Sequence, residues 1–176
     1  MNLEQLRQRI RDVPDFPKPG VVFKDITPLL ADAESFHWAI VQLAARIRHH
    51  RANALAAVES RGFIFGAALA LVLKLPLHLV RKPGKLPYRK LSKDYELEYG
   101  RGTLEVHEDA FKAGGRYAIV DDLVATGGTA VATAALVESG GAHVVCCAFV
   151  IELAFLRGRQ KLAGYPVESL LVYDRE

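Results

Sequence analysis

The stretch Arg116–Ala130, with the sequence RYAIVDDLVATGGTA, decides the fold of this chain. An apolar run over residues 117–120 ends in two carboxylates, Asp121 and Asp122. The small-residue segment Ala125–Thr129 follows, and a helical pattern begins after it. This order predicts a buried strand with an acidic end, then a loop of small residues and a helix.

The loop at residues 125–129 has the composition of a phosphate-binding segment. Small residues allow backbone N–H groups to converge, and the following helix adds the positive end of its dipole. The hydroxyl groups of Thr126 and Thr129 can also donate hydrogen bonds. Asp121 and Asp122 would repel a phosphate unless they face a sugar diol or a cation bound to the same ligand. The stretch therefore predicts a sugar-phosphate site; an ordinary turn with helix-capping aspartates is the alternative.

The composition is typical of one globular domain, residues 1–176. The chain is 51% hydrophobic, and its net charge of +3 is too weak to indicate nucleic acid as a partner. Cys146 and Cys147 are neighbours in an apolar strand, so they point to opposite faces and are expected to be free thiols in a reducing compartment. Neither a signal peptide nor a membrane-spanning apolar run is present in the sequence, so a cytoplasmic location is expected.

Strands and helices alternate along the chain, which predicts an α/β fold with a mostly parallel sheet. The predicted helices cover residues 2–11, 32–50, 64–74, 131–139 and 154–163. The predicted strands cover residues 54–58, 77–80, 94–100, 103–106, 117–120, 143–151 and 169–173, with the third and fourth forming a hairpin. For Val21–Phe23 the pattern favours a short strand at one end of the core over a lid that places an aromatic ring on a ligand.

A second strand, turn and helix predict a second anion site. The buried strand at residues 54–58 leads into a turn that contains Arg61, and open α/β sheets bind ligands at the carboxyl ends of their strands. The segment Arg81–Lys90 holds five cations among prolines and a glycine, which is typical of a mobile loop. We expect this basic lid (residues 81–90) to cover bound anions.

Other classes of function lack their motifs. The six histidines have no metal-ligand spacing, and the chain contains neither a G-x-S-x-G elbow nor a Walker loop. The basic cluster Arg46–Arg51 has no interleaved aromatic residues and follows a helix, so a solvated helix end is favoured over a nucleic-acid site.

Five segments in order along the chain resemble the type I phosphoribosyltransferases, and in particular the members that act on adenine. They are DFPKPGVVFKDITPLL, ESRGFIFGAAL, RKPGKLPY, YELEYG and IVDDLVATGGT. The resemblance implies a central, mostly parallel sheet flanked by helices, a small N-terminal hood (about residues 1–30) and a flexible lid and hairpin. It also implies the reaction of adenine with phosphoribosyl pyrophosphate (PRPP) to give AMP and pyrophosphate, in purine salvage, with Mg²⁺ as cofactor and a homodimer as the assembly.

The same resemblance implies roles for individual residues. The groups expected to bind the 5′-phosphate are in the loop, at Ala125, Thr126, Gly127, Gly128 and Thr129. Asp121 and Asp122 are expected to hold the ribose and, through it, the metal, and to stabilise positive charge at the anomeric carbon. The residues expected at the pyrophosphate are Ser60, Arg61, Gly62, Arg81, Lys82 and Lys85. No role is carried onto Tyr88, Arg89 or Lys90.

The base site rests on the resemblance as well. Adenine is expected between Phe23 and Leu153, with the backbone of residues 22–24, from Val22 to Lys24, reading its edge. Glu98 is expected to hydrogen-bond near purine N7 and to hold or shuttle a proton. The expected catalytic residues are Glu98, Asp121, Asp122 and Arg61.

Two other functions are compatible with parts of this pattern. One is a phosphoribosyltransferase for hypoxanthine, guanine or xanthine, although VVFKDI and YELEYG favour adenine. The other is a non-catalytic regulator that senses PRPP; it would need a nucleic-acid-binding element, and no helix-turn-helix pattern is left over in the sequence.

Overall fold

The computed structural model describes residues 1–97 and 100–175. The helices are α1 Leu3–Arg7, α2 Thr27–Ala31, α3 Ala33–His49, α4 Gly62–Leu73, α5 Gly128–Ser139 and α6 Gly158–Lys161, with a 3₁₀ turn at Ala154–Leu156. The strands are β1 Arg11–Val13, β2 Phe23–Asp25, β3 Ala54–Val58, β4 Leu77–Val80, β5 Lys90–Leu97, β6 Gly100–His107, β7 Arg116–Val124, β8 His143–Leu153 and β9 Val167–Tyr173.

Five strands form the central sheet in the order β4-β3-β7-β8-β9, and every pair of neighbours is parallel. Successive side chains of β7 alternate between two buried clusters. Ala118 and Val120 belong to the cluster that holds the apolar sides of α3 and α4, whereas Tyr117 and Ile119 belong to the cluster beneath α5. Because helices cover both faces of the sheet, the predicted α/β class is confirmed.

The predicted hairpin is also confirmed, and it is joined to the sheet by a backbone bridge. Strands β5 and β6 pair antiparallel from Lys90 opposite His107 to Leu97 opposite Gly100. Arg81 N donates to Glu105 O at 2.8 Å, and Glu105 N donates to Arg81 O at 2.7 Å. The basic lid is therefore fixed at its first residue by this bridge and at its last by strand β5, rather than being structureless throughout.

The N-terminal segment differs from the prediction of one helix over residues 2–11. Helix α1 ends at Arg7, and Arg11–Val13 pairs antiparallel with Phe23–Asp25. A short isolated helix is only marginally stable in water, so strand pairing further along determines the conformation of these residues. The strand favoured at Val21–Phe23 is present, but it begins at Phe23.

Other boundaries also differ from the sequence prediction, among them the end of β7 and the helix predicted at residues 154–163. Strand β7 continues through Asp121 and Asp122 to Val124, because β8 provides hydrogen-bonding partners along this length. The predicted helix at residues 154–163 is interrupted at Arg157, whose φ of 57° is left-handed.

The cysteines are placed as expected. Cys146 and Cys147 are buried free thiols, and burial raises the pKa of each to about 12. Among residues 1–97 and 100–175, no helix has the length and apolar character needed to cross a membrane.

Candidate active site

A cavity of about 550 Å³ opens at the carboxyl edge of the sheet, between β3 and β7. Strand order reverses here, since the chain runs from β3 outward to β4 and later from β7 outward to β9. Such switch points are the usual ligand sites of open α/β sheets. The residues lining the cavity include Glu59, Ser60, Arg61, Lys82, Tyr95, Asp121, Asp122, Ala125, Thr126, Gly127, Gly128 and Thr129.

The predicted phosphate loop (residues 125–129) forms the floor of this cavity. It connects the end of β7 to α5, whose N-cap is Gly127 with a φ of 80°. The conformation is left-handed, which favours glycine at this position. The helix begins with the hydrogen bond from Val131 N to Gly127 O, 3.0 Å, so the N–H groups before Val131 have no partner within the helix. An anion in the cavity would meet these N–H groups and the positive end of the α5 dipole.

The acidic pair (Asp121 and Asp122) lies beside the loop, in an enclosed environment. Burial raises the pKa of Asp121 well above its ordinary value, and the neighbouring charge of Asp122 raises it further. Burial also raises the pKa of Asp122, against the opposing charge of Arg61. Arg61 Nε lies 3.0 Å from Asp122 Oδ2, but that oxygen is buried and accepts no hydrogen bond from the described residues. Among the described residues, the acidic pair therefore has few cationic or hydrogen-bonding partners. A ligand with hydroxyl groups, or a cation, would supply such partners.

Arg61 connects the acidic pair to the N-terminal hood. Its guanidinium carbon lies 4.9 Å from the centre of the Phe23 ring, and Phe23 packs edge-on against Phe16 at 5.2 Å. The next residue, Gly62, allows α4 to approach β7 closely. A Cβ atom at Gly62 would lie 2.8 Å from Asp121 Oδ1 and 2.9 Å from Val120 O. Gly62 therefore has a packing role in addition to the pyrophosphate role that the family resemblance implies.

Glu59 joins the Arg61 turn to the basic lid. Its Oε2 accepts hydrogen bonds from Lys82 N at 2.9 Å and Arg81 Nε at 3.2 Å. Burial on its own raises the pKa of Glu59, but these two partners outweigh it and the pKa is lowered. Lys82 lines the cavity, whereas the Arg81 guanidinium is occupied by Glu59 and by the carbonyl of Lys85. Of the three predicted lid cations, the structure places Lys82 at the cavity.

Residues 22–24 and Leu153, which were predicted to bind adenine, are not among the residues that line the cavity. Val22 and Phe23 are half-buried, and Lys24 is buried with its Nζ 2.7 Å from Asp12 Oδ1 and 4.5 Å from the centre of the Tyr173 ring. The Lys24 side chain is therefore engaged within the protein. Leu153 is half-buried and packs against the cluster that contains the α3 and α4 side chains. Glu98, the predicted proton-handling residue, lies outside the described residues.

Sequence reasoning missed three residues at or against the site: Glu59, Tyr95 and Gly158. Glu59 follows a buried strand directly, as Asp121 follows the apolar run of β7, and this position is a usable signal. Tyr95 reaches the cavity from the hairpin, and nothing local in the sequence indicates that. Gly158 contacts the phosphate loop from 31 residues beyond Gly127, a distance in sequence at which no motif operates.

The described residues contain no group of three or more His, Cys, Asp or Glu side chains arranged to hold a metal ion. A cation at the acidic pair would therefore need most of its ligands from a bound substrate or from water. Oxygen-rich partial coordination of this kind suits Mg²⁺, which usually keeps several waters and binds phosphates together with one or two carboxylates.

The fold and site define a class of protein, and comparison with known families agrees. The family model for the phosphoribosyl transferase domain matches residues 30–168. This range contains the acidic pair, the phosphate loop, the Arg61 turn and the basic lid.

Comparison with individual proteins narrows the class. The chain is 56% identical to the adenine phosphoribosyltransferase of Syntrophotalea carbinolica, over 97% of this chain and 100% of that protein. The crystal structure of adenine phosphoribosyltransferase from Thermoanaerobacter pseudethanolicus superposes with a TM-score of 0.95 at 52% identity, covering 98% of this chain and 100% of that one. The Saccharomyces cerevisiae enzyme, crystallised with an imino-altritol bisphosphate and adenine, gives 0.89 at 37% identity, over 96% and 98%. The chain therefore belongs to the adenine phosphoribosyltransferases.

Proposed function

We propose that the protein transfers the 5-phosphoribosyl group from PRPP to adenine, giving AMP and pyrophosphate. One observation carries the proposal: a phosphate loop, two poorly compensated carboxylates and two cations, Arg61 and Lys82, line a single cavity of about 550 Å³. This set matches the three parts of PRPP, which are a 5′-phosphate, a ribose diol and a pyrophosphate.

The phosphate loop is proposed to bind the 5′-phosphate. Backbone N–H groups at the start of α5 and the hydroxyls of Thr126 and Thr129 are the donors available in the cavity. Gly127 and Gly128 keep side chains away from the phosphate, so that backbone atoms can approach it. Binding at this end fixes the position of the sugar.

The acidic pair is proposed to accept hydrogen bonds from the ribose hydroxyls. As the bond from the anomeric carbon to pyrophosphate lengthens, positive charge develops on the sugar, and the nearby carboxylates stabilise it. A carboxylate that is ionised in this enclosed environment, with Arg61 as its partner at ion-pair distance, would interact strongly with a developing cation.

Arg61 and Lys82 are proposed to stabilise the negative charge on the departing pyrophosphate. Arg61 now pairs with Asp122 and stacks on Phe23, so binding PRPP would redistribute this guanidinium between Asp122 and the ligand. Mg²⁺, when bound with PRPP, would supply further charge neutralisation at the pyrophosphate oxygens. Asp121 and Asp122 would contact it indirectly, through the ribose.

The basic lid is proposed to exclude water from the reacting centre. A ribosyl cation exposed to solvent would be hydrolysed instead of transferred to the base. The lid is held at Arg81 and Lys90, which leaves the segment between them to close over pyrophosphate with Lys82 and Lys85.

The base is proposed to bind at the hood, against Phe23 and Leu153, with the backbone of residues 22–24 reading its edge. The contact between Phe23 and Arg61 supports this placement, because it brings the hood to the ribose end of the cavity. Glu98 as the group near N7 stays a prediction.

A homodimer is proposed from the exposed side of α4. This helix, GFIFGAALALVL, is apolar around its whole circumference, yet Leu71 is 81% exposed and Ile64 is 40% exposed. A helix that is apolar all round is normally buried, so a second copy of the chain is the proposed cover. The single-domain organisation of residues 1–176 and the cytoplasmic location remain predictions.

The function is tested by incubating the purified protein with PRPP and Mg²⁺ together with adenine, hypoxanthine or guanine. We expect AMP and pyrophosphate from adenine, with much slower product formation from the other two bases. If no AMP is formed from adenine, the proposed function is refuted. Product from hypoxanthine or guanine alone would favour the sister activity, and PRPP binding without any product would favour a regulator.

A further inference from the structure

We propose that Glu152 and Arg159 are positioning residues for the phosphate loop, and that they act on it through the backbone of Gly158. This inference rests on the proposed function, because it concerns how the 5′-phosphate site is shaped. Neither side chain lines the cavity, so neither is expected to touch the substrate.

Gly158, at the start of α6, is packed directly against the phosphate loop. A Cβ atom at Gly127 would lie 2.5 Å from Gly158 O, and a Cβ atom at Gly158 would lie 2.9 Å from Gly127 N and closer still to Ala125 O. Two backbones meet here with no side chain between them. The side of the loop away from the cavity is therefore supported by α6, and a shift of α6 would shift the N–H groups that face the ligand.

An ion pair between a buried carboxylate and a guanidinium whose side chain is 49% exposed sets the position of α6. Glu152 is 4% exposed, and it accepts hydrogen bonds from Arg159 Nε at 2.8 Å and from Arg159 Nη2 at the second carboxylate oxygen. Arg159 Nη1 also donates to Val167 O at 2.9 Å, on strand β9. A helix of four residues has almost no stability of its own, so these three bonds determine where α6 lies.

Glu152 is also positioned next to the strand residue that precedes the loop. Glu152 on β8 is paired with Val124 on β7, the residue immediately before Ala125. The loop is thus held between its own strand, which is registered against Glu152, and Gly158, which is held by Arg159. Burial alone raises the pKa of Glu152, but the hydrogen bonds from Arg159 outweigh it and the pKa is lowered, so the carboxylate stays charged at neutral pH.

The first test compares Arg159→Met with Arg46→Met. Both arginines donate to a carbonyl of β9, since Arg46 Nη1 bonds Ser169 O. Arg46, however, is on α3, which packs in a different buried cluster from the phosphate loop and α5. A displaced loop should raise the KM for PRPP and the Kd for ribose 5-phosphate, measured by calorimetry, by about tenfold or more, with the KM for adenine unchanged. Arg46→Met should leave all three constants near those of the unmodified protein. Arg159→Lys, which keeps the charge but not the paired hydrogen bonds, should lie between.

Gly158→Ala is the second test, and it leaves the ion pair intact. Alanine in a helix is normally favoured over glycine, so a loss of PRPP binding here would come from contact with the loop. If Arg159→Met fails to fold because Glu152 is left unpaired, the double variant Glu152→Met/Arg159→Met removes both charges and keeps the side-chain volume. Both variants should weaken ribose 5-phosphate binding in the same way as Arg159→Met.

The outcomes separate this inference from the function it rests on. Failure of the unmodified protein to form AMP would overturn the proposed function. Loss of ribose 5-phosphate binding in the variants would still support Glu152 and Arg159 as positioning residues. Variants that lower the Tm but leave the KM for PRPP and the Kd for ribose 5-phosphate unchanged would show that the ion pair is structural only.

Discussion

At the scale of single residues, the site is dominated by two adjacent carboxylates with too few partners. Asp122 N donates to Asp121 Oδ1 at 2.9 Å, and Arg61 is the cation that faces the pair at ion-pair distance among the described residues. Arg61 is itself shared with the Phe23 ring. A ribose diol or a cation at the pair would supply the hydrogen-bond donors or positive charge that its protein contacts do not.

Replacing Asp121 with asparagine should stabilise the unliganded protein and impair catalysis. Asparagine keeps the Oδ1 acceptor but removes a buried charge and its repulsion with Asp122, so we expect a gain of about 1 kcal/mol in the free energy of unfolding, or roughly 2–5 °C in Tm. The kcat, measured at saturating PRPP and adenine, should fall at least tenfold, because the positive charge that develops at the anomeric carbon loses a stabilising carboxylate. Thermal melts and AMP formation measure the two effects.

The same residue gives a pH dependence whose sign follows from the raised pKa values. The folded state binds more protons than the unfolded state between the ordinary Asp pKa of 3.8 and the raised values. The contribution of the acidic pair to the free energy of unfolding should therefore decrease as pH rises through that range, so Asp121→Asn should become more stable relative to the unmodified protein as pH rises. The exposed Asp109→Asn is the control, and it should keep the slope of the unmodified protein. An identical slope in Asp121→Asn would contradict the burial argument.

At the scale of elements, α4 packs on the sheet through two glycines, one facing β7 and the other facing β3 and β4. Gly62 lies against Asp121 and the carbonyl of Val120, whereas Gly66, one turn later on the same helix, lies against the side chains of Ala57 and Leu77. The two contacts belong to one helix–sheet interface, but only the first includes a residue of the cavity.

This difference predicts that Gly62→Ala and Gly66→Ala will have unlike effects on activity. A Cβ atom at Gly66 would lie 2.5 Å from Ala57 Cβ, so both variants should lower the free energy of unfolding through overpacking, by about 1–3 kcal/mol. Only Gly62→Ala should also displace Asp121, and its kcat/KM for PRPP should fall well below that of Gly66→Ala, measured under conditions in which both are folded. Equal kcat/KM values in the two variants would contradict the proposed role of the contact between Gly62 and Asp121.

At the scale of the whole molecule, the hood is attached to the last strand of the sheet. The Tyr173 ring on β9 lies between two cations of the hood, with the Arg7 guanidinium carbon 4.3 Å and Lys24 Nζ 4.5 Å from its centre. Arg7 Nη2 also donates to Val172 O at 2.9 Å. The position of Phe23, next to Lys24, therefore depends on the opposite end of the chain.

Removing the Tyr173 ring should affect the base half of the reaction. Each cation–ring contact contributes about 0.5–2 kcal/mol, so Tyr173→Leu should loosen the hood and raise the KM for adenine several-fold while the KM for PRPP changes little. Tyr173→Phe keeps the ring and serves as the control, with kinetics near those of the unmodified protein. A rise in the KM for PRPP with an unchanged KM for adenine would contradict the proposed effect of the hood on adenine binding.

The exposed apolar side of α4 gives a prediction about assembly. Leu71→Glu places a charge in the proposed contact, so we expect a monomer by light scattering where the unmodified protein is a dimer. Val172→Glu, at a similarly apolar but only 38% exposed position at the other edge of the sheet, is the control and should stay dimeric. A monomeric unmodified protein would refute the proposed dimer.

The sequence by itself determined the features that are local in the chain. The α/β alternation is confirmed, and the loop at residues 125–129, the acidic pair and the Arg61 turn lie at one cavity, because each rests on residues within one strand, turn and helix. Their ligand roles stay predictions. The same locality explains the errors: the end of α1, the length of β7 and the break at Arg157 depend on what a neighbouring segment offers as a partner.

Only the tertiary structure decided which of these local features share a site. Strand order put β3 beside β7, which brought Arg61 to Asp122, and it put β8 next to β7, which brought Glu152 and Gly158 behind the phosphate loop. The tertiary structure also buried the Lys24 side chain against Asp12 and Tyr173. The physical reason is that these contacts join residues far apart in the chain, where packing and charge pairing, rather than periodicity or local motif, select the neighbours.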